Sequence, residues 1–233
     1  MDSQRMAQIN WSFVEKIIYI NLKKRPDRDA HMRQELARLN VPQEKIIRLD
    51  AVEREPGYIG CTQSHLAALK MAQSMAWKTI LVLEDDMTFI HDEENIGRVN
   101  HFFHQLTIIP WDVAFLAANY LKVVPLKAER SFLFEYESTL VKSNFAYCTC
   151  AYLVGKHYYQ TLIENFSSAL QLQEETRDER HAIDAHWISI MSKDNWIGIY
   201  PNFGYQMASR SDIRQRDVDY KNLFFKLLPN ITR

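Results

Sequence analysis

The chain has little cysteine, no surplus of either charge and no long apolar run, and each lack removes a class of protein. Three cysteines in 233 residues, two of them Cys148 and Cys150, supply neither a disulfide scaffold nor the paired-thiol spacing of a zinc frame. Lys plus Arg number 28 against 29 Asp plus Glu, a net charge of −1. A general nucleic-acid binder needs surplus positive charge to release counterions from phosphates, so no nucleic acid is expected as a partner and any polyanionic ligand must be met locally. No run of eighteen apolar residues occurs, and residues 1–11 have no apolar core of signal-peptide length, so the expectation is a cytoplasmic protein. What is present is a 47% hydrophobic share, with aromatic residues at 12% of the chain, on a length ample for a buried core, which excludes a disordered or collagen-like chain.

The pattern along the chain predicts the architecture. Residues 16–22 are a continuous β-branched and aromatic run, apolar on both faces, as in a buried parallel strand. Residues 28–39 carry Met32, Leu36 and Leu39 at helical spacing and stop at Asn40 and Pro42. A short strand at 45–49, a polar loop at 53–57, a helix at 61–76 and a strongly apolar strand at 79–83 follow. Next come a helix near 95–106 and a strand at 112–117. Residues 119–144 read as a loop with a hairpin near 132–136, lying over the site. Then come a strand at 147–154, a helix at 156–170, a polar stretch at 171–180, a short helix at 183–191 and a last strand at 196–200. This alternation predicts one α/β domain at 16–213, a Rossmann-type, mostly parallel sheet with helices on both faces. It is flanked by an N-terminal extension (1–15) and a basic, apolar tail (214–233). Ligands of such sheets lie at the carboxyl ends of the strands.

Glu84-Asp85-Asp86 follows the most apolar strand directly, so carboxylates stand at the mouth of the sheet. In extended chain Glu84 and Asp86 point one way and Asp85 the other. Two carboxylates on one side repel unless a cation lies between them, and a hard divalent ion, Mn²⁺ or Mg²⁺, suits oxygen ligands and phosphate. The alternative is a solvated turn after a strand. Asn21, Arg25 and Arg28 follow the first strand where a nucleotide would lie. Asn21 is expected to line its pocket and an arginine to hold its diphosphate, unless both arginines are surface residues of the next helix. Ser64 and His65 fall in the first turns of the second helix, where free N–H groups favour anions.

These segments together resemble glycosyltransferase family 25, which includes lipooligosaccharide and collagen galactosyltransferases. The resemblance rests on Ile20-Asn21-Leu22 with Arg25-Pro26-Asp27-Arg28, Gly60-Cys61-Thr62-Gln63-Ser64-His65-Leu66, Leu81-Val82-Leu83-Glu84-Asp85-Asp86, Cys150-Ala151-Tyr152-Leu153-Val154, and Gln206 with Ser211-Asp212-Ile213. It implies a GT-A-like fold and transfer from a nucleotide-diphospho-sugar, with the acidic triplet in the place of an Asp-x-Asp motif. By similarity Asp86 ligates the metal, Glu84 contacts it or the ribose, and Asp85, Ser64, His65, Gln206, Ser211 and Asp212 belong to the donor site, with Asn202 and Tyr205 beside Gln206. The family makes β-linkages from α-linked donors, so the resemblance implies inversion, which requires a base facing the acceptor hydroxyl.

Asp184, the acid set in Ile183-Asp184-Ala185-His186-Trp187, is the candidate base, with a helix-capping role as the alternative. His186 could complete the metal site. Trp111, Trp187 and Trp196 could stack on sugars, although tryptophans are more often core. The expected partners are a UDP-sugar and a glycan or a glycosylatable protein, and the tail offers peripheral contact with an anionic membrane unless it docks on the domain. Two other classes stay open: a Mg²⁺-dependent phosphohydrolase, which would release phosphate from simple esters, and an inactive carbohydrate-binding module, which would not hydrolyse UDP-sugars.

Overall fold

Strand β1 (Lys16–Asn21) is buried from Ile17 onward, as its continuous apolar run requires. The computed structural model describes residues 8–126 and 139–232. After β1 come helix α1 (Pro26–Arg38), β2 (Ile46–Asp50), α2 (Gly57–Ser74), β3 (Thr79–Glu84), β4 (Met87–Phe89), α3 (Glu93–Leu106) and the long β5 (Val113–Leu126) and β6 (Thr139–Gly155). The chain continues through α4 (Tyr159–Thr176), the one-turn helices α5 (Ile183–His186) and α6 (Ile188–Met191), β7 (Trp196–Tyr200), β8 (Gly204–Gln206), β9 (Ser209–Ser211) and β10 (Arg216–Val218). The main sheet has the order β2-β1-β3-β6-β5-β7, and every strand but β6 runs in the same sense. The expected α/β domain with a mostly parallel sheet is what the chain forms.

Alternation along the strands divides the core into two faces. Ile17 and Tyr19 of β1 and Leu81 and Leu83 of β3 pack with Met32 and Leu36 of α1 and Val99 and Phe102 of α3. Ile18, Ile20, Ile80 and Val82 pack on the other face with Leu66 and Leu69 of α2 and Leu162 and Phe166 of α4. Continuing the alternation past Leu83 aims Glu84 at the α2 side, and this parity positions the site.

The largest departure from the sequence reading is at 119–144. Residues 119–126 and 139–144 continue β5 and β6 instead of forming a loop, and the expected hairpin near 132–136 lies outside the described residues. The start of β6 pairs with β7 (Lys142 opposite Ile197) and its end with β3 (Leu83 opposite Ala151), so one strand bends across the sheet. Register shifts along β5 and a left-handed Cys148 (φ 74°) accommodate the bend. Inside it a Cβ on Gly198 would fall 2.0 Å from the Tyr120 hydroxyl, so any larger residue must displace that buried ring. Pro125 is tolerated opposite Val141 near the end of β5. Helix α4 also outruns its expected end: buried Gln173 donates to the His181 carbonyl at 2.7 Å, which rewards helix through the polar stretch.

Residues 8–15 pack Ile9, Trp11 and Val14 into the α1/α3 face, with Trp11 tilted against Phe103. At the other end Phe224 and Ile231 are buried, and the Lys226 ammonium donates to the Asn119 side chain at 2.5 Å and the Tyr120 carbonyl at 3.0 Å. The tail therefore docks on the domain while Leu223, Phe225 and Leu227 stay exposed. Among the described residues no helix is long and apolar enough to cross a membrane.

Candidate active site

The chain leaves β3 at Glu84 and turns at Asp85–Asp86 instead of staying extended. The turn lets one guanidinium meet two acids: Arg28 Nη1 lies 2.9 Å from Asp85 and 3.3 Å from Asp86, all three side chains being nearly buried. Its Nη2 donates to the Ser209 hydroxyl at 2.6 Å and the Arg210 carbonyl at 3.1 Å. The other Asp85 oxygen accepts from Asn21 Nδ2 at 2.7 Å. Asp85 thus points away from its neighbours into a bracing network.

Glu84 and Asp86 face a common partner. The β4–β8 ribbon sets Met87 opposite Gln206, and the Gln206 amide donates to Glu84 at 3.2 Å and Asp86 at 3.4 Å. The remaining Glu84 oxygen accepts from the Thr149 hydroxyl at 2.5 Å. Burial raises the Glu84 carboxyl, yet the His65 ring, the Thr149 hydroxyl and the Arg28 charge together hold it below the ordinary range. Burial, with the Glu84 and Asp85 charges, pushes Asp86 up to about 7 against the pull of Arg28. Burial also raises Asp85, outweighing Arg28 and Asn21. Three acids set against one guanidinium form an oxygen-rich, under-neutralised cluster, and this donor set fits a hard divalent cation.

Two cavities adjoin at the cluster, and Glu84, Asp86, Cys61 and Ser211 line both. The smaller, 310 Å³, runs along the carboxyl ends of β1 and β2 past Ala51 and Val52 and is closed by Asp212 and Ile213. The larger, 680 Å³, is lined by Tyr58, Tyr147, Tyr220, Gln206 and Asp184. Asp184 accepts from the Cys148 backbone N–H at 3.1 Å, and burial holds its carboxyl above the ordinary aspartate value, with the Glu84 charge adding to the rise. The close packing of α2 on the 52–54 loop needs Gly60, where a Cβ would sit 2.2 Å from the Val52 carbonyl oxygen.

The structure redistributes several expected roles. Asn21 lines neither cavity; its amide is spent on Asp85, the Arg25 carbonyl and Arg48. Arg25 also lines neither, and instead clamps Asp212 at 2.6 Å, fixing the 211–213 turn over the smaller cavity. Arg28 borders the smaller cavity, but both its Nη atoms are engaged by protein groups. Ser64 donates to the Gly60 carbonyl and accepts from Val52 N–H, so it holds the loop. His65 borders the smaller cavity, with Nδ1 on the Tyr152 hydroxyl at 2.9 Å and Nε2 3.6 Å from Glu84. His186 is not brought to the acids: two residues along a helix are about 200° apart, so Asp184 and His186 face opposite ways. Asn202 is a buried clamp between Ala118 and Phe224, and Trp187 and Trp196 are core. Thr149 and the Cys148 N–H have no distinctive signal, and Tyr152, though part of the motif at 150–154, has no role at the site implied by it; all three reach it only through the register of β6 against β3.

The sequence profile of glycosyltransferase family 25 (LPS biosynthesis protein) matches residues 53–185. Comparison with the curated proteins gives no match. Among solved structures the chain is similar to A197 from STIV, at 12% identity and a TM-score of 0.47, over 84% of this chain and 87% of that one. It is similar to mannose-1-phosphate geranyltransferase from Thermus thermophilus, at 10% identity and a TM-score of 0.45, over 80% and 73%. The glycosyltransferase GlyE of Streptococcus pneumoniae gives 13% and 0.41, over 80% of this chain and 45% of that one.

Proposed function

The chain belongs to glycosyltransferase family 25, and from that membership we propose an inverting, metal-assisted transfer of a hexose, galactose before glucose, from a UDP-sugar. The acceptor is a hydroxyl of a lipooligosaccharide-type glycan or of hydroxylysine. The observation that carries this reading is that Glu84, Asp86 and Asp184 line one cavity, which adjoins a second at the ends of β1 and β2.

Asp86 and Glu84 would hold the cation, Mn²⁺ or Mg²⁺, whose charge favours departure of the diphosphate. The smaller cavity takes the nucleotide, and the Arg25–Asp212 pair keeps its 211–213 wall in place. The larger takes the sugar and acceptor, with Tyr58, Tyr147 and Tyr220 as surfaces for sugar rings. Asp184 removes the acceptor proton as the hydroxyl oxygen bonds to the anomeric carbon and the carbon–oxygen bond to UDP breaks, its electrons leaving with UDP. Burial makes Asp184 a stronger base than a free aspartate, and the Cys148 N–H fixes its orientation. Leu223, Phe225 and Leu227, left exposed by the docked tail beside Lys221, support peripheral contact with an anionic membrane carrying a lipid-linked acceptor.

A thermal-shift and hydrolysis screen of UDP-, GDP- and CDP-sugars with and without Mn²⁺ tests the donor: UDP-sugars with metal should stabilise and turn over. Asp86→Asn should abolish turnover while leaving the unfolding profile intact. Full activity of that variant at ordinary Mn²⁺ concentrations would overturn the metal assignment.

A further inference from the structure

Part of the cluster has no task in the transfer. Cys61 and His65 stand four residues apart on α2, one turn apart on a common face, the face aimed at the end of β3. The Cys61 thiol, a His65 ring nitrogen and a Glu84 oxygen all lie within 4.8 Å of one another. His65 is 1% exposed and its Nε2 has no hydrogen-bond partner. A buried ring nitrogen that faces a carboxylate without a hydrogen bond to it asks for an explanation.

The distances supply one. Nε2 and Glu84 Oε1 are 3.6 Å apart, too long for a hydrogen bond. Two nitrogen or oxygen ligands of a tetrahedral zinc ion are separated by about 3.3–3.6 Å, given bonds of about 2.0–2.2 Å. Tyr152 holds the other ring nitrogen at 2.9 Å, the outer-shell contact that orients a ligating imidazole. The two Glu84 oxygens are also divided. Oε1 faces His65 and Thr149, and Oε2 faces Gln206, which reaches on to Asp86.

We propose that Cys61, His65 and Glu84 form a three-ligand site for a zinc ion, separate from the oxygen-only position at Asp86, with the fourth coordination position open to the cavities. A thiol, an imidazole and a carboxylate select a borderline-soft ion over Mg²⁺ or Mn²⁺. On binding, the thiol proton is released to solvent and a sulfur–zinc bond replaces it. Zinc takes up Oε1 and leaves Oε2 for a hard ion, so the two positions are joined through one carboxylate. The site does not depend on the identity of the donor.

The test is titration of the chelator-treated full chain with Co²⁺ alone, followed by displacement with Zn²⁺. One equivalent should bring a thiolate-to-cobalt charge-transfer band that Zn²⁺ removes. The band should vanish in Cys61→Ser and persist in Cys148→Ser, whose thiol borders the same cavity, and in Asp86→Asn. His65→Gln, which removes one of three ligands, should weaken Zn²⁺ binding. No band in the parent chain, a band surviving Cys61→Ser, or its loss in Cys148→Ser or Asp86→Asn overturns the proposal. Turnover is not a readout, so a failed donor screen and a failed metal titration are separate results.

Discussion

Replacing Asp184 with Asn removes the proposed base and keeps its scaffold, because the amide oxygen can still accept from the Cys148 N–H now bonded at 3.1 Å. Loss of a positioned base typically costs about 10²–10⁴ in rate, or roughly 2.7–5.4 kcal/mol of barrier. Stability should move the other way. Burial raises the folded carboxyl above its unfolded value, so the native state holds this proton more tightly than the unfolded chain. The resulting stability is fully present below the unfolded pKa and is lost as pH rises through the raised folded value. Asn carries no such loss. The variant should match the parent near about pH 4 and exceed it near about pH 8. Asp184→Ala supplies the contrast, since it strips the acceptor from the Cys148 N–H. It should lose about 1–2 kcal/mol, roughly 2–8 °C in a chain of this size. Steady-state transfer and thermal unfolding at the two pH values read all of this. An Asn variant that keeps kcat within a small factor, or is less stable than the parent at the higher pH, refutes a buried base at this position.

Three further perturbations follow from distances. Gly60→Ala puts a methyl 2.2 Å from the Val52 carbonyl, a backbone atom, so urea unfolding should show a loss of about 1–3 kcal/mol; an unchanged midpoint would mean the 52–54 loop yields freely. Thr149→Val deletes the 2.5 Å bond to Glu84 and should cost about 1.5–3 kcal/mol in the same assay, with Thr149→Ser restoring most of it. Arg25→Ala frees the 211–213 turn and should raise the donor KM several-fold with kcat largely kept; a fall in kcat at constant KM would place Arg25 in the chemical step instead.

How much of this was legible in the sequence depends on the range of the interaction. β1, α1, α2 and β3 are written in local periodicity, and the acidic triplet at the end of β3 was readable because an apolar run ends abruptly in carboxylates. Asn21, Arg25 and Ser64 lie near the acids, but their bonds run to Asp85, Asp212 and Val52, so they brace the walls. No local pattern shows which partner a side chain will find. Thr149 and Tyr152 are ordinary strand residues until β6 is laid antiparallel beside β3. Pro125 and its neighbours in 119–126 resemble a loop, and pairing with residues 140–147 of β6, whose start pairs in turn with β7, overrides that local signal. His186 was displaced by helix geometry, since α5 starts at Ile183 and only one of Asp184 and His186 can face the cavity.

The bonds that assemble the acids span great lengths of chain. Thr149 meets Glu84 across 65 residues, Gln206 meets Asp86 across 120, and Arg28 meets Ser209 across 181. Closing loops of this size adds little to the equilibrium cost, because the entropy grows only with the logarithm of length. It weighs far more on kinetics, since contacts of high sequence separation form late in folding. The β1–β3 layer can condense early, whereas the β4–β8 ribbon that delivers Gln206 must wait for the end of the chain. The same ordering holds in reverse near the native state: amides of Gly204–Gln206 should exchange with deuterium before those of Ile80–Leu83. The chemistry is therefore lost to partial opening before the fold is, and activity is a more sensitive gauge of a weakened variant than its melting curve.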